Sequence, residues 1–346
     1  MITLKEIAET CSVSTATVSN ILNGKTNVSE ATRQRVLEVV RKNGYKPNYM
    51  ARGLRATKTK TIGLLIDDLT EFSTPKIVDG IMESLEKNGY QAILENLRFY
   101  TKYGDEAKNM EKYDEEVSFA INYFLSIRVD GIIYVSGHAR KISCIPEDIQ
   151  DANFPFVIAY AFSDKKNIPS VIFDDRSAAA ELSKILIKNG HKKIALIMGK
   201  KDNFHTKKRL EAFTSVMNEN SLTVNKNLMY YGDWSFDSGY SACKNLLDSK
   251  EDFSAIFCFN DLMAAGAYKA LTEKQKKIGS EIAVVGFDNR IFSDFLKPSL
   301  TTVEIPLREI GIKAAQVIFE QLEGNKCENL YEIPCKVCER ESVCKK

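Results

Sequence analysis

The stretch Thr3-Leu4-Lys5-Glu6-Ile7-Ala8-Glu9-Thr10-Cys11-Ser12-Val13-Ser14-Thr15-Ala16-Thr17-Val18-Ser19-Asn20-Ile21-Leu22-Asn23-Gly24 decides how the rest is read. Thr3 and Glu6 have the spacing of a capping box, and Leu4, Ile7, Ala8 and Cys11 recur at helical spacing. A short helix is therefore predicted through about Cys11. Ser12-Val13 makes a turn, and Ser14 caps a second helix through Ile21-Leu22. Asn23-Gly24 ends it, because both residue types tolerate left-handed backbone. Ser29 caps a third helix with Val36, Val39 and Val40 inside, closed by Asn43-Gly44. Three short helices, the first two joined by a tight turn, make a helix-turn-helix module. The second helix turns Val18 and Leu22 inward and leaves Thr15, Ala16, Thr17, Ser19 and Asn20 outside. Three helices packed for structure alone would not need that outer face. It suits a DNA major groove: hydroxyls contact phosphates, Asn20 can read the N6 and N7 atoms of adenine, and Ala16 or the Thr15 methyl can meet a thymine methyl.

Charge points the same way. The chain of 346 residues carries a net +2, with 44% hydrophobic and 27% charged residues, and suits two or three folded domains. Residues 1–60 hold eleven Lys or Arg against four acids, a net +7; the other 286 residues carry 37 against 42, a net −5. A basic module on an acidic body is the asymmetry expected where one end meets double-stranded DNA. No apolar stretch approaches the ~18 residues of a membrane span. The start lacks an export-signal pattern, and eight scattered cysteines form no dense disulfide framework, so a cytoplasmic location is expected.

After the polar linker Ala56-Thr57-Lys58-Thr59-Lys60 the grammar changes. Strands are predicted over 62–66, 90–94, 131–135 and 156–160, with helices over 77–88 and 114–127. A second set alternates helices over 177–189, 207–219, 239–247 and 262–271 with strands over 194–198, 228–231, 255–259 and 282–287. Residues 330–337 read as one final strand. Lys-Asn-Gly recurs at 42–44, 87–89 and 188–190 as shared helix-end chemistry rather than a repeat. Such alternation predicts parallel sheets covered on both faces, arranged as two Rossmann-like lobes with a ligand cleft at the carboxyl ends of the strands. Asn260-Asp261 and Asp288-Asn289 stand at strand ends, Arg209 on a helix, and Trp234 in Gly232-Asp233-Trp234-Ser235. Asp, Asn and Arg bind polyhydroxyl or carboxylate ligands, and an aromatic face stacks on a sugar. The competing reading is helix capping, with Asp261 as cap of the helix starting at Leu262.

Leu4-Lys5-Glu6-Ile7-Ala8 followed by Val13-Ser14-Thr15-Ala16-Thr17-Val18-Ser19 resembles the start of lactose-repressor-type bacterial transcription regulators. Tyr45-Lys46-Pro47-Asn48-Tyr49-Met50-Ala51-Arg52-Gly53-Leu54 resembles that family's hinge. The resemblance implies a small all-α helix-turn-helix headpiece (1–46), a hinge helix and linker (47–60), and an α/β core of two lobes (61–346) similar to periplasmic binding proteins. It implies DNA contacts from Thr3, Ser14, Thr15, Ala16, Thr17, Ser19, Asn20, Asn23, Asn48, Ala51 and Arg52. Leu54 becomes a wedge that unstacks the central base step from the minor groove. The position that often carries Arg in the family is Asn20 here, so the half-site is not transferable.

In the core, Phe259-Asn260-Asp261-Leu262-Met263-Ala264-Ala265-Gly266-Ala267 is similar to the family's segment with an effector-binding Asn. Val285-Gly286-Phe287-Asp288-Asn289 with Leu300-Thr301-Thr302-Val303, and Arg209 with Leu210 and Phe213, are similar to two further effector segments. Arg209, Trp234, Asn260 and Asp288, with Tyr160, Phe72 and Thr74, are the candidate effector contacts. Two departures stand out: Glu71-Phe72-Ser73-Thr74-Pro75 replaces a common Asn-Pro-Phe-Phe signature, and the segment 96–116 is longer and more charged. The family implies a homodimer on a near-palindromic operator, acting as a repressor, and a small-molecule effector. Trp234 with the acidic and amide groups favours a carbohydrate as that effector. A purine-type or protein corepressor is the alternative within this class; a carbohydrate-binding transport protein or enzyme is the alternative outside it. Residues 339–346 carry no apolar heptads, which favours a dimer over a tetramer.

No Gly-x-x-x-x-Gly-Lys-Ser/Thr loop, His-Glu-x-x-His or Gly-x-Ser-x-Gly elbow occurs, and His138, His191 and His205 lie far apart in sequence. Neither an enzyme nor a cofactor is expected, and His191, just past Gly190, reads as a helix-end residue. Cys335-Lys336-Val337-Cys338, with Cys327 and Cys344, invites a zinc reading. The spacings 8, 3 and 6 match no common zinc pattern. Two cysteines three apart on a strand also face opposite ways, so no metal is expected.

Overall fold

The computed structural model describes residues 2–22, 24–25, 28–45, 59–104, 110–138, 140–147, 149 and 154–346. The chain divides into two units, Met1–Thr59 and Lys60–Lys346. In the first lie α1 (Leu4–Thr10), α2 (Thr15–Leu22) and α3 (Glu30–Lys42). The Thr3–Glu6 capping box is formed: Glu6 N donates to Thr3 Oγ1 at 3.3 Å and Thr3 N to Glu6 Oε2 at 2.7 Å. Thr17 N donates to Ser14 Oγ at 3.1 Å, and Thr32 N to Ser29 Oγ at 3.4 Å. Ile7, Ala8, Cys11, Val18, Ile21 and Val36 make the core. Ile21, rather than the expected Leu22, joins Val18 inside; two residues three apart on a helix share the buried face. Leu22, Val39 and Val40 pack around the edge, only partly buried.

The second unit opens with β1 (Thr61–Ile66), α4 (Thr74–Lys87), β2 (Gln91–Asn96), α5 (Phe99–Tyr103) and α6 (Met110–Ser126). Then come β3 (Gly131–Val135), β4 (Phe156–Ala159), β5 (Ser170–Phe173), α7 (Asp175–Lys188), β6 (Ile194–Met198), α8 (Phe204–Glu219) and β7 (Met229–Tyr231). The last part holds α9 (Phe236–Asp248), β8 (Ala255–Cys258), α10 (Asp261–Glu273), β9 (Ala283–Val285), β10 (Thr302–Glu304), α11 (Leu307–Leu322), β11 (Leu330–Ile333) and β12 (Lys336–Cys338).

Two parallel sheets result, one in the order β11-β5-β4-β3-β1-β2 and one in the order β7-β6-β8-β9. Strands β3, β4, β5, β6 and β8 are wholly buried, as sheets covered on both faces require. The chain leaves the first sheet after Phe173. It returns after Glu304 through α11, which packs on β3, β4 and β5, and leaves again after Ile333.

Four features depart from the sequence reading. Strand β5 and the long helix α11 were not foreseen. The single final strand is two: β11 pairs in parallel with β5, whereas β12 pairs antiparallel with β10. Pro334, which has no N–H to give a ladder, marks the break. Asp261 does not cap α10 either. Asn260 does, accepting Met263 N at 2.8 Å, and Asp261 turns inward to accept from Arg290 N, Ser293 Oγ and Thr302 Oγ1 at 2.8, 2.7 and 2.6 Å.

Each lobe carries a helix pair pressed together at glycines. In the first, α4 and α11 meet where a Cβ on Gly80 would overlap the Arg308 carbonyl and one on Gly311 the Ile77 carbonyl. In the second, Gly239 of α9 and Gly266 of α10 stand equally close to the facing backbone. Backbone cannot yield as a flexible side chain can, so Gly311→Ala should cost roughly 1–3 kcal/mol of overpacking. Urea unfolding followed by circular dichroism reads it; an unchanged midpoint would show that the helices separate freely.

Candidate functional site

On the first unit, Thr3, Ser14, Thr15 and Ala16 are exposed, and Thr17, Ser19 and Asn20 partly so. They run from the start of α1 along the outer face of α2. Ser14 Oγ and Thr17 Oγ1 are 2.9 Å apart, so one proton of that pair is already shared. Lys5, Lys25, Arg35, Arg41 and Lys42 are exposed as well, giving the unit its positive surface. Asn23, Asn48, Ala51, Arg52 and Leu54 lie outside the described residues.

The second unit holds a cavity of about 400 Å³, within the range of small-molecule sites. Its wall includes Phe72, Tyr160, Arg209, Trp234, Asn260 and Asp288, so six of the seven effector candidates meet there. Thr74 is not among the lining residues. It is fully buried at the start of α4, and its hydroxyl has no hydrogen-bond partner among the described residues.

Arg209, on α8, organises the wall and is only 2% exposed. Its Nε donates to Asp175 Oδ1 at 2.7 Å, its Nη1 to the Phe259 carbonyl, and its guanidinium lies 3.5 Å from the Phe287 ring centroid. Burial opposes a charge on Asp175, yet the neighbouring His205 and Arg209 together hold its carboxyl below the usual range. Trp234 stands at φ 75°, flush against Gly199, where a Cβ would overlap the indole. Asn260 Nδ2 donates to the Trp234 carbonyl at 2.9 Å while its Oδ1 caps α10, so Asn260 fixes the indole's position. Tyr160 and Asp288 also have positive φ, 68° and 120°. Non-glycine residues rarely adopt that conformation, and they concentrate where a site over-determines it. Arg290, beyond β9, reaches across the cleft with its guanidinium 4.1 Å from the Phe72 ring centroid.

Sequence reasoning passed over His205, His138, Lys200, Asn203, Asp233 and Arg290, all of which line the cavity. A signal existed for His205: it precedes Arg209 by four residues on one helix and so shares its face. His138 and Lys200 follow β3 and β6, where the strand-end rule points. His191 does close α7, its N donating to Leu186 O, and its ring also meets Ser254 Oγ at 3.1 Å. Among the described residues no cluster of three or more His, Cys, Asp or Glu could hold a metal ion, and no helix is long and apolar enough to cross a membrane.

Burial, reinforced by the Asp261 carboxyl, pushes Asp288 up to about 7, against the pull of Arg209 and Arg290. A carboxyl whose folded value exceeds its unfolded one holds its proton more tightly when folded. Stability therefore falls as the pH rises from about 4 towards 7, and stays low above that. Asp288→Asn should raise the melting temperature at pH 8, with a gain that shrinks towards pH 5 in calorimetry. A lower melting temperature at pH 8 would mean that the 3.4 Å Arg290–Asp288 contact outweighs burial.

Residues 3–48 match the family model of bacterial regulatory proteins of the lacI family, and residues 184–343 match a periplasmic binding protein-like domain. Catabolite control protein A of Priestia megaterium is 30% identical, with 99% of each chain covered. Among solved structures, the lac repressor dimer bound to operator and an anti-inducer superposes with a TM-score of 0.82 at 24% identity, covering 99% of each chain. The transcriptional regulator CelR in complex with cellobiose superposes at 0.67 with 26% identity, covering 99% of this chain and 100% of that one. The chain thus belongs to the lacI family of bacterial regulatory proteins, as a sequence-specific DNA-binding transcription regulator modulated by a small molecule bound in its α/β core.

Proposed function

We propose that the cavity takes a sugar, and that its occupation sets the affinity of a homodimeric cytoplasmic repressor for a near-palindromic operator. The observation that carries the sugar reading is the wall itself. An indole face, fixed by Gly199 and Asn260, stands beside half-buried Asp288 and buried Arg209 and His205, which is how proteins pair the C–H face and the hydroxyls of a saccharide. The cellobiose-bound CelR neighbour supports it. Operator contact falls to the outer face of α2, with residues 47–60 as the hinge between headpiece and core, and occupation acts through a coupling free energy between the two sites.

Trp234 is the only tryptophan, so its emission reports the cavity directly. Titration with D-glucose, D-galactose, D-ribose and cellobiose, beside adenine, guanine and hypoxanthine, should shift it for a sugar, and that sugar should change operator affinity. A shift with a purine base alone would replace the sugar reading. For the hinge, Leu54→Ala should weaken specific operator binding by ten-fold or more, on the order of the few kcal/mol that unstacking one base step involves, and leave non-specific binding nearly unchanged. Equal losses on both DNAs in a binding assay at fixed salt would remove the wedge.

A further inference from the structure

His205 is 9% exposed and stands in the first turn of α8, beyond the Asn203 cap. Its ring stacks on Phe173, with centroids 4.8 Å apart and planes 19° apart. Nδ1 lies 2.6 Å from Asp175 Oδ2, while the other oxygen of that carboxylate accepts Arg209 Nε at 2.7 Å. An ionised carboxylate only accepts hydrogen bonds, so Nδ1 carries the proton. Burial disfavours a second proton on the ring, against the pull of Asp175. Nε2, on the far side of the ring from Asp175, is then a bare lone pair. It is buried, and no hydrogen-bond partner meets it among the described residues.

We propose that His205, whose ring lines the cavity, offers Nε2 as a hydrogen-bond acceptor once the groups that now cover it give way to a bound sugar, and that this sugar must bring a hydroxyl to meet it. A buried acceptor without a partner is costly, and a hydroxyl relieves that cost, whereas an ether, carboxylate or phosphate oxygen sets lone pair against lone pair. The Asp175–His205 pair thereby selects a free hydroxyl over its O-alkyl, deoxy or phosphorylated counterpart. This rests on the sugar reading above.

The test has two parts, both on the full chain. Nitrogen NMR of ring-labelled histidine, without added sugar and at neutral pH, should show Nδ1 protonated and Nε2 bare for His205, identified by its loss in His205→Gln. A proton on Nε2 overturns the proposal. Then the sugar from the panel that shifts Trp234 emission is compared with its monodeoxy and mono-O-methyl derivatives by calorimetry. One hydroxyl should matter at this point: its removal should weaken binding about 10- to 100-fold in the wild type. The same removal should have little effect in His205→Leu and an intermediate one in His205→Gln, which keeps an acceptor. If sugars bind and every hydroxyl behaves alike in wild type and His205→Leu, the sugar reading stands and this proposal falls. If no sugar of the panel binds, both fall.

Discussion

The core is arranged around one buried cation. Arg209 joins three places that the chain visits separately: the crossing from the first sheet at Asp175, the end of β8 at the Phe259 carbonyl, and the ring of Phe287 beyond β9. Taking a guanidinium and a carboxylate out of water is expensive, and an apolar pair of the same volume often packs as stably. What the ion pair adds is direction. Asp175, held ionised, orients His205 on one side while Arg209 braces the aromatic floor on the other. The cavity wall is thus positioned by polar contacts that an apolar core could not make directional.

Positioning of this kind is held against strain and crowding. Tyr160, Trp234 and Asp288 each occupy left-handed backbone at a strand end or turn, a conformation that costs of order 1–3 kcal/mol apiece. Asp288 adds a carboxyl that burial drives towards neutrality. Tight helix crossings at Gly80 with Gly311 and at Gly239 with Gly266 give each lobe a rigid frame to hold these features. The close-packed helix pairs and the three strained residues of the cavity wall are different elements, so the wall keeps its conformation without loosening the frame.

Much of this was legible in the sequence because it is local. Capping pairs such as Thr3 with Glu6, Gly at helix ends, and short apolar runs fix helices and strands within a few residues. Arg209, Trp234, Asn260 and Asp288 could be singled out because each stands at a strand end or on the facing helix. What escaped depends on partners far along the chain. Strand β5 is only four residues long, held between β4 on one side and, on the other, β11, some 160 residues later. Residues 330–337 look continuous until Pro334 meets two different sheets. His205 could not be read as an acceptor without Asp175 beside it, and a histidine on an apolar helix face looks like any other. Thr74, two residues from Phe72 in the chain, is turned into the core by the start of α4, which no local pattern announces.

The same topology constrains how occupation of the cavity is felt elsewhere. In parallel sheets the cavity lies at the carboxyl ends of the strands, where Phe72 and His138 follow β1 and β3. The chain enters this unit at the opposite end. Lys60 N donates to Asp130 Oδ2 at 2.8 Å, just before β3, and the Lys60 ammonium lies 4.2 Å from the Tyr90 ring centroid. Between these points stand five fully buried residues in each of β1 and β3, roughly 17 Å of close-packed backbone. Such a layer does not stretch by degrees; it moves as a body or not at all. A ligand that alters the contact of Phe72 with Arg290 across the cleft would therefore act by turning one lobe against the other. Lys60, pinned at the far edge of the first sheet, must follow that rotation. Coupling to the segment that precedes Lys60 then depends on the angle between the lobes, and a ligand changes it only by as much as its contacts differ between the two angles.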